Sequence, residues 1–385
     1  MFPSLLDKRL RTLEEQTQFR TLSHRKGVDF ASNDYLGFAQ DPELVRRFAS
    51  ATGDFYLGSS GSRLLRGNLE IHEKAEAELA KFVGRETALL FSSGYQANVG
   101  LLSALLGPDD VVFSDELNHA SIIDGIRLSR AAKVVYPHRN VYHLTKSLEE
   151  QADCKGLKVI VTESLFSMEG DIAPLTELAE TAKNYDSLLI VDEAHATAIF
   201  GSMDGKRGGG LCEALGVTKD VFASIHTGGK ALGVAGGWVA GDQRLKDYIV
   251  NFGRSFIFST APMPALPLAL LLSLQYWNEV GPKRATHLRT TCLQFKEMLK
   301  ELAKRTGIET CGAEGPIFPV ILGSNERALS VANHLQKAGF DVRAIRPPTV
   351  PAGRARIRIT LPWAVGDDKL QALRNSLASA LELSS

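Results

Sequence analysis

Ser-Leu-Leu-Ile-Val-Asp-Glu-Ala-His, residues 187–195, is the stretch of sequence that decides the fold. Its apolar run indicates a strand buried on both faces, and Asp192 ends that run. Similar short apolar runs recur along the middle of the chain, separated by longer stretches with the apolar spacing of helices. This alternation predicts an α/β fold with a large, mostly parallel sheet that helices cover on both faces. The predicted strands are 88–91, 111–113, 134–136, 159–162, 188–191, 221–225 and 238–240.

The length of 385 residues predicts more than one domain, because a single hydrophobic core seldom serves so long a chain. We expect an N-terminal helix and segment over residues 1–40 and a large α/β domain over 41–272. From residue 273 the pattern changes to long helices followed by strands at 317–322 and 355–360. That change predicts a smaller α+β C-terminal domain over 273–385.

The bulk composition excludes several classes of partner. Lysine plus arginine and aspartate plus glutamate both number 44, so the chain has no general attraction to nucleic acid or to an anionic membrane. Its four cysteines, at 154, 212, 292 and 311, form no CxxC pair, and the N-terminus lacks the apolar core of a signal peptide. We therefore expect a cytoplasmic protein that acts on small molecules, with no metal site, no nucleic acid and no membrane partner.

Polar residues follow five of the predicted strands. In open α/β sheets, ligands bind beyond the carboxyl ends of the strands. The segments at these ends contain hydroxyl, imidazole, carboxylate and amine groups, and they are 92–95, 118–119, 163–167, 192–195 and 227–230. Because five such segments all follow predicted strands, the sequence predicts a ligand site at this edge of the sheet.

Asp192 is the first candidate within that site. A carboxylate at the end of an apolar strand is poorly solvated and needs a positive partner, because burying an unpaired charge is costly. A protonated pyridine nitrogen would be such a partner, and the carboxylate would keep that ring an electron sink. A solvated turn aspartate or a structural ion pair is the alternative.

Asp192-Glu193-Ala194-His195 also spells the DEAH box of some helicases. A nucleotide-driven ATPase would need a GxxxxGK[ST] loop upstream, and the chain has none. His195, three residues after Asp192, is instead a candidate hydrogen-bond donor to a cofactor oxygen. The alternative for a histidine considered alone is a satisfied packing residue.

Lys230 lies in the glycine-rich segment Thr-Gly-Gly-Lys-Ala-Leu-Gly, residues 227–233. Such a loop lets the backbone approach a ligand closely, and the lysine amine can form an imine with an aldehyde. Thr227 is a candidate phosphate ligand. An exposed surface lysine is the common alternative, but the apolar strand before this loop and the apolar run after it argue against that.

Three further groups have both a functional and a structural interpretation. Ser93-Gly94-Tyr95 precedes a helix, so its amides would suit a phosphate, although serine capping explains the pattern equally well. His119 would stack on an aromatic ring, or serve as a capping or core histidine. The segment Gly58-Ser-Ser-Gly-Ser-Arg63 is glycine-rich but follows no clear strand, and we assign it no role.

Arg354, Arg356 and Arg358 alternate toward Thr360, which predicts that all three share one face of a strand. A buried arginine there needs a carboxylate, from the protein or from a substrate. Surface charges on an edge strand are the alternative for at least one of them.

With these residues in view, the chain resembles the α-oxoamine synthases, which are fold-type I pyridoxal-phosphate enzymes. The resemblance extends from Ser32 to Thr360, and its most specific parts are SNDYLG (32–37), NHASIIDG (118–125), TESLFSMEGDIAPL (162–175), VDEAHATAIFG (191–201) and HTGGKALG (226–233). It implies a transferase with pyridoxal 5'-phosphate as its cofactor. The chain departs from the family pattern at His226, where relatives often have a small residue, and at Tyr95, where an equivalent can be Phe.

The resemblance also implies a role for individual residues. Lys230 would hold the cofactor and later move the substrate's α-proton, Asp192 would pair with the pyridine nitrogen, and His119 would stack on the ring. The remaining implied contacts are His195 and Ser167 to the ring's phenolic oxygen, and Gly94, Tyr95 and Thr227 near the phosphate. Substrate contacts are implied for Asn33, Arg358, Arg20, Thr349 and His119. Ser259 or Thr260 would reach a phosphate in the neighbouring subunit of a homodimer.

Within the family, Ala-Ile-Arg-Pro-Pro-Thr-Val-Pro, residues 344–351, is similar to the branch that serves biotin biosynthesis. That similarity implies the decarboxylative condensation of L-alanine with a pimeloyl thioester, carried by coenzyme A or by an acyl carrier protein. The alternatives within the family are glycine C-acetyltransferase, serine palmitoyltransferase and 5-aminolevulinate synthase, which share the cofactor residues and differ in their substrate pockets.

Overall fold

The computed structural model describes residues 2–53, 57–310, 312 and 314–384, without the side chains of residues 2 and 3. Cys311, one of the cysteines considered above, lies outside the described residues. Contacts divide the chain into a larger unit, residues 34–167 and 172–287, and a smaller unit, residues 1–33, 168–171 and 288–385. The domain boundaries predicted at 40 and 272 stay predictions.

The described residues form thirteen helices and thirteen strands, numbered here in chain order. The helices are α1 Phe2–Glu15, α2 Pro42–Ala51, α3 Glu70–Phe82, α4 Gly94–Leu105, α5 Ala120–Ser129, α6 Val141–Glu150, α7 Leu175–Asn184, α8 Leu211–Ala214, α9 Gln243–Phe252, α10 Arg254–Ile257, α11 Ala265–Thr306, α12 Asn325–Lys337 and α13 Asp367–Leu383. The strands are β1 Val28–Asp29, β2 Thr87–Phe91, β3 Val111–Asp115, β4 Ala132–Tyr136, β5 Lys158–Glu163, β6 Leu188–Asp192, β7 Ala223–Thr227, β8 Gly237–Gly241, β9 Glu309–Thr310, β10 Ile317–Gly323, β11 Phe340–Asp341, β12 Arg343–Ile345 and β13 Ala355–Thr360.

The larger unit contains a seven-stranded sheet in the order β2-β8-β7-β6-β5-β3-β4. The neighbours from β7 to β4 pair in parallel, whereas β8 runs antiparallel to both β7 and β2. The prediction of a mostly parallel sheet is therefore confirmed. Strands β3, β7 and β8 are buried along their whole length, as the continuous apolar runs indicate for strands covered on both faces.

Local sequence explains where the elements around the site begin. The Ser93 side chain accepts a hydrogen bond from the backbone N–H of Gln96 at 3.1 Å, so α4 starts directly after β2. The interior of α4 contributes Leu101 and Leu102 to a core shared with Val112 of β3 and Val161 of β5. This packing fixes the start of α4 at the carboxyl edge of the sheet.

Gly233, three residues after Lys230, packs directly against the segment that begins the larger unit. Its φ is +69°, and a Cβ there would lie 2.3 Å from the backbone nitrogen of Ala39 and 2.6 Å from the carbonyl carbon of Phe38. Only glycine allows both the left-handed backbone and this approach. The close contact holds the loop that carries Lys230 against residues 38–39.

The smaller unit contains a four-stranded antiparallel sheet in the order β12-β13-β10-β9. Strand β13 lies between β12 and β10, so the alternative interpretation of its arginines as edge-strand charges is wrong for Arg356 and Arg358, which are buried. Arg354 precedes the strand and pairs with Glu309 at 2.7 Å. It was predicted to share the face of the other two, but its guanidinium serves a surface ion pair.

A short excursion of the chain, residues 168–171, belongs to the smaller unit although the residues on both sides of it belong to the larger one. The Arg356 guanidinium, 2% exposed, holds this excursion through the Met168 carbonyl at 2.9 Å and the Glu169 carboxylate at 2.8 Å. Gly170, with a φ of +70°, lies so close to Ile317 that a Cβ would be 2.3 Å from that residue's carbonyl oxygen. The carboxylate predicted for a buried arginine is thus Glu169.

No helix in the described part of the chain combines the length and the apolar character needed to cross a bilayer.

Substitution of Gly233 by alanine should lower the free energy of unfolding by about 2–5 kcal/mol. A left-handed backbone costs alanine roughly 1–2 kcal/mol, and overpacking against Ala39 and Phe38 adds about 1–3 kcal/mol. Urea unfolding measures the difference. Gly216→Ala is the matched control, since Gly216 has a φ of +74° and nothing within 4 Å of a Cβ. Equal losses in the two variants would show that the close approach at Gly233 contributes nothing.

Candidate active site

Asp192 ends β6 at the carboxyl edge of the larger unit's sheet, where β7 and β5 end beside it. Ladder pairing aligns Asp192 with Ile225 of β7 and with Glu163 of β5. The turn after β6 and the loop after β7 therefore leave the sheet side by side. This edge brings together His195 and Lys230, which the sequence placed at the ends of different strands.

The Asp192 carboxylate is 6% exposed and accepts hydrogen bonds from neutral donors. Oδ1 accepts from the backbone N–H of Ala194 at 2.9 Å, and Oδ2 accepts from the side-chain amide of Asn98 at 2.7 Å. A buried negative charge whose hydrogen bonds come from neutral donors favours a positively charged partner.

His119 is connected to Asp192 through a chain of hydrogen bonds. Its Nδ1 lies 2.7 Å from the Ser121 hydroxyl, which accepts from the same Asn98 amide at 3.0 Å. The backbone N–H of Ser121 also donates to His119 Nδ1, at 3.3 Å, which favours the tautomer with its proton on Nε2. Burial lowers the pKa of His119, the charge of Asp192 raises it and that of Lys230 lowers it, with a net lowering. The ring is therefore neutral near pH 7, and it also caps α5 as the structural interpretation anticipated.

Asn98 and Ser121 were missed in the sequence because each lies within a helix, where polar residues are ordinary. Helix α4 also contains the polar residues Gln96 and Ser103, so its sequence does not single out Asn98. Tyr35 was missed as well, although it lies within the SNDYLG motif. Its buried hydroxyl is 2.6 Å from His195 Nδ1. A hydroxyl at Nδ1 fixes the plane of the imidazole.

Lys230 lies in the loop between β7 and β8, half-buried. Hydrogen bonds from Gly228 N–H to the Gly236 carbonyl at 3.0 Å, and from Val234 N–H to the Gly228 carbonyl at 2.9 Å, close the base of this loop. The Lys230 carbonyl accepts from Gly233 N–H at 2.9 Å. The exposed-lysine alternative is thus wrong, since the residue belongs to a tightly bonded loop at the edge of the sheet.

The residues predicted on the phosphate side lie at the start of α4 and the end of β7. Gly94 is the first residue of α4, and a Cβ on it would lie 3.4 Å from the Thr227 Cβ. The Thr227 hydroxyl donates to the Gly236 carbonyl at 2.8 Å and accepts from Gly229 N–H at 3.1 Å. Tyr95 is half-exposed, and its hydroxyl donates to Asp124. Gly94 and Thr227 are therefore neighbours, whereas Tyr95 turns its hydroxyl to α5.

Glu193 has a structural role in the turn that follows Asp192. The carboxylate is fully buried and accepts from the Ser164 hydroxyl at 2.6 Å and from the backbone N–H groups of Leu211 at 3.0 Å and Cys212 at 2.6 Å. Burial raises the pKa of Glu193 above its ordinary value despite these donors. The Glu193 carboxylate therefore anchors the start of α8. This structural role differs from the catalytic role of the glutamate in a helicase DEAH box.

His226, the departure from the family pattern, is fully buried on β7. Its ring stacks on Trp238 with centroids 5.3 Å apart and planes 12° apart. Nδ1 lies 2.8 Å from the Thr197 hydroxyl and Nε2 lies 2.8 Å from the Ser224 hydroxyl. Burial lowers the pKa of His226 to about 3, with a further contribution from Arg85.

The glycine-rich segment 58–63 is held by a buried ion pair. Arg63 binds Glu76 at 2.7 Å, and Lys246 binds the same carboxylate at 3.0 Å. Burial raises the pKa of Glu76, but these cations outweigh it and leave the pKa below its ordinary value. Gly61 accepts from Ala261 N–H at 2.9 Å, so the segment packs beside the loop that carries Ser259 and Thr260.

The smaller unit holds four of the five residues predicted to bind substrate, and the fifth, His119, belongs to the larger unit. The Arg358 guanidinium donates to the Asn33 side-chain oxygen at 2.9 Å, and both belong to this unit. Arg20 donates to the Thr349 hydroxyl at 3.1 Å and to the Pro347 carbonyl at 3.4 Å. The structure thus pairs the four predicted residues two by two. The remaining predicted residue, Ser167, is half-buried after β5, one residue before the excursion.

The chain belongs to the aminotransferase class I and II family, whose model matches residues 25–377. It is similar to the 8-amino-7-oxononanoate synthase of Anaeromyxobacter dehalogenans, with 45% identity over 92% of this chain and 86% of that protein. The enzyme of the same name from Marinobacter nauticus is 42% identical over 94% of this chain and 89% of its own length.

Solved structures agree with this assignment. The serine palmitoyltransferase of Sphingomonas wittichii superimposes with a TM-score of 0.87 and 28% identity, over 100% of this chain and 98% of that one. The 8-amino-7-oxononanoate synthase of Francisella tularensis gives a TM-score of 0.75 and 27% identity, over 93% of this chain and 98% of that one. The fold is that of the fold-type I transferases, and the resemblance to the α-oxoamine synthases is confirmed.

Pyridoxal 5'-phosphate is the cofactor of this protein, and the residues at the carboxyl edge fit it. Asp192 offers a buried anionic acceptor for a cationic ring nitrogen, and Lys230 offers an amine close enough to His119 for its charge to lower the pKa of that ring. The start of α4 offers backbone N–H groups for an anion.

Asn98→Ala should destabilise the protein by about 2 kcal/mol and weaken cofactor binding, because Asp192 would lose its side-chain donor while remaining buried. Urea unfolding of the apoprotein and titration with pyridoxal phosphate provide the two measurements. Asn140→Ala is the control, since Asn140 caps α6 through the N–H of His143 and touches none of these residues. Unchanged cofactor affinity in Asn98→Ala would contradict the orienting role of this amide.

Acid should destabilise the protein partly through His226. Its folded pKa of about 3 lies below the ordinary 6.5, so the unfolded chain binds one more proton between these values and stability falls as pH decreases. Between pH 7 and pH 5 the loss from this group is about 2 kcal/mol. Urea unfolding at both pH values, compared with His226→Phe, isolates it. The same pH dependence in both proteins would show that His226 protonates freely in the folded state.

Proposed function

We propose that the protein catalyses the decarboxylative condensation of L-alanine with a pimeloyl thioester, giving 8-amino-7-oxononanoate, carbon dioxide and the free thiol, in biotin biosynthesis. The thioester is that of coenzyme A or of an acyl carrier protein. The observation that carries this proposal is the buried Asp192 carboxylate with neutral donors, in a chain 42–45% identical to enzymes of this name.

The bound cofactor supplies a protonated pyridine ring that withdraws electrons from the α-carbon of the amino acid. Asp192 would keep the proton on the ring nitrogen, because a carboxylate oriented by Asn98 and Ala194 favours a cation beside it. His119, neutral and on the same hydrogen-bond chain, would lie against the ring face. Its uncharged state avoids placing a second cation beside the pyridinium.

Lys230 would hold the cofactor's aldehyde in the resting enzyme. When L-alanine replaces it, the freed amine would take the α-proton of the substrate and later return a proton to the product. His195 would donate from Nε2 to the phenolic oxygen, because Tyr35 occupies Nδ1, and Ser167 would donate to the same oxygen. These contacts would fix the ring while the lysine moves.

The phosphate would lie at the start of α4, near Gly94, Tyr95 and Thr227. A helix N-terminus with Ser93 as its cap presents backbone N–H groups to an anion. The Thr227 hydroxyl donates to Gly236 within its own loop, so it would exchange that partner for a phosphate oxygen.

Arg358 would bind the carboxylate of the amino acid, with Asn33 beside it. The guanidinium is buried on β13 and oriented by the Asn33 oxygen, and its planar donor geometry matches that of a carboxylate. Arg20 and Thr349, joined by a hydrogen bond, would position the substrate or the product.

We place the reaction in a homodimer, with Ser259 or Thr260 contacting the cofactor phosphate of the neighbouring subunit. Support comes from a cluster of exposed apolar side chains on the two adjoining loops around residues 57–65 and 258–263. These are Leu57 (94% exposed), Leu64 (50%), Leu65 (84%), Phe258 (73%) and Met263 (47%). Clustered apolar exposure of this kind is typical of a protein interface.

We also place the protein in the cytoplasm. Cys154, Cys212 and Cys292 are free thiols, as is usual in a reducing compartment.

The decisive test compares the rate of thiol release from pimeloyl-coenzyme A with L-alanine against acetyl-coenzyme A with glycine. We expect the first pair to have a kcat/KM higher by about tenfold or more. The two pairs differ in the length of the acyl chain and in the methyl group of alanine, and binding pockets discriminate such differences by about this factor. Lys230→Ala should lower the rate with the preferred pair by about 10²–10⁴.

Preference for acetyl-coenzyme A and glycine would reassign the protein to the glycine C-acetyltransferase branch with the same cofactor site. A Lys230→Ala protein with the wild-type rate would contradict the chemistry assigned to the lysine.

A further inference from the structure

His226 lies on β7, four residues before Lys230, with both ring nitrogens occupied. Thr197 donates its hydroxyl proton to the carbonyl of Glu193 at 2.8 Å, so its oxygen accepts from His226. The proton of the imidazole is therefore on Nδ1. Nε2 is then an acceptor and takes the hydroxyl proton of Ser224, 2.8 Å away.

Thr197 belongs to the helical turn that carries Asp192 and His195. Within this turn, the N–H groups of Ala196 and Thr197 donate to the Glu193 carbonyl at 2.9 and 2.8 Å. The pairing of β6 with β7 ends with the bond from Glu193 N–H to the Ile225 carbonyl at 2.7 Å. Beyond that bond, the hydrogen bond between His226 and Thr197 also joins this turn to β7.

The imidazole has little freedom to move. Trp238, its ladder partner on β8, covers one face of the ring in a stacked arrangement. Ser224, two residues away on the same strand face, fixes the ring's outer edge. Because the ring is held on both sides, its hydrogen bond also fixes the position of Thr197. A flexible side chain of the same length would not fix it.

We propose that His226 is a positioning residue that fixes the turn 192–197 to strand β7, and so holds Asp192 and His195 in register with Lys230. The inference rests on the proposed cofactor contacts of these three residues. The imidazole touches neither substrate nor cofactor and acts through Thr197.

His226→Phe keeps the ring stacked on Trp238 and removes both hydrogen bonds. We expect its affinity for pyridoxal phosphate to fall by about tenfold, and the pH midpoint of the bound cofactor's visible absorption to shift, because His195 and Asp192 lose their register. His226→Asn places an amide N–H near the position of Nδ1 and should recover most of the affinity. Thr197→Val removes the same link from the other side, so it tests the inference even if His226→Phe does not fold.

The two substitutions should be coupled. If the hydrogen bond between them carries the effect, the double variant His226→Phe/Thr197→Val should bind the cofactor no more weakly than the weaker of the two single variants. Additive losses would overturn the inference, because they would mean that each residue acts separately.

Ser129→Ala is the control for general destabilisation, since Ser129 is a buried hydroxyl that bonds to Ile126 at the far end of α5. It should lower the melting temperature without changing cofactor affinity or the absorption spectrum. If His226→Phe has the wild-type cofactor affinity and spectrum, His226 only packs against its neighbours and the inference is wrong. These measurements use no substrate, so their result is independent of whether L-alanine and a pimeloyl thioester prove to be the substrates.

Discussion

Asp192 keeps its carboxylate out of water at the end of β6, with an amide side chain and a backbone N–H as its hydrogen-bond partners. Burying an ion without a counter-ion is unfavourable, and neutral donors offset only part of the cost. The surrounding structure therefore keeps the Asp192 carboxylate in place as an acceptor for a positively charged group. The helix that carries Asn98 and the strands on both sides of β6 all contribute to that arrangement.

The same exclusion of water affects two imidazole rings in this part of the unit. Burial lowers the pKa of His119 and of His226. The backbone N–H of Ser121 determines which nitrogen of His119 is protonated, and the Thr197 hydroxyl determines it for His226. His195 has a hydroxyl partner as well, from Tyr35. Hydrogen bonds within the protein thus hold all three imidazole rings in place.

The sequence predicted the edge of the sheet well because its signals are local. An apolar strand that ends in a polar residue identifies the position of Asp192 and of the loop before Lys230 without knowledge of the fold. The same strand pattern does not give direction, so the reversed orientation of β8 was not foreseen. Strand β7 was predicted at 221–225 and begins two residues later.

The contacts that orient the site were harder to predict, because they depend on which residues distant in sequence meet. Asn98 lies 94 residues from Asp192, and Tyr35 lies 160 residues from His195. Nothing in the local pattern of α4 distinguishes an asparagine that binds a carboxylate from one that faces a neighbouring helix. The sequence predicted that a carboxylate would bind Arg356. It could not predict that this carboxylate is Glu169, because the contact depends on residues 168–171 joining the smaller unit.

That excursion determines how the chain can be divided. A fragment that begins at residue 288 would contain β13 and Arg356 but not Glu169, and it would bury a guanidinium whose acceptors had been removed. The larger unit expressed alone would in turn carry four residues that belong to another core. The smaller unit is therefore not an independent module, and a gene fusion or truncation at the apparent boundary would separate Arg356 from the carboxylate that binds it.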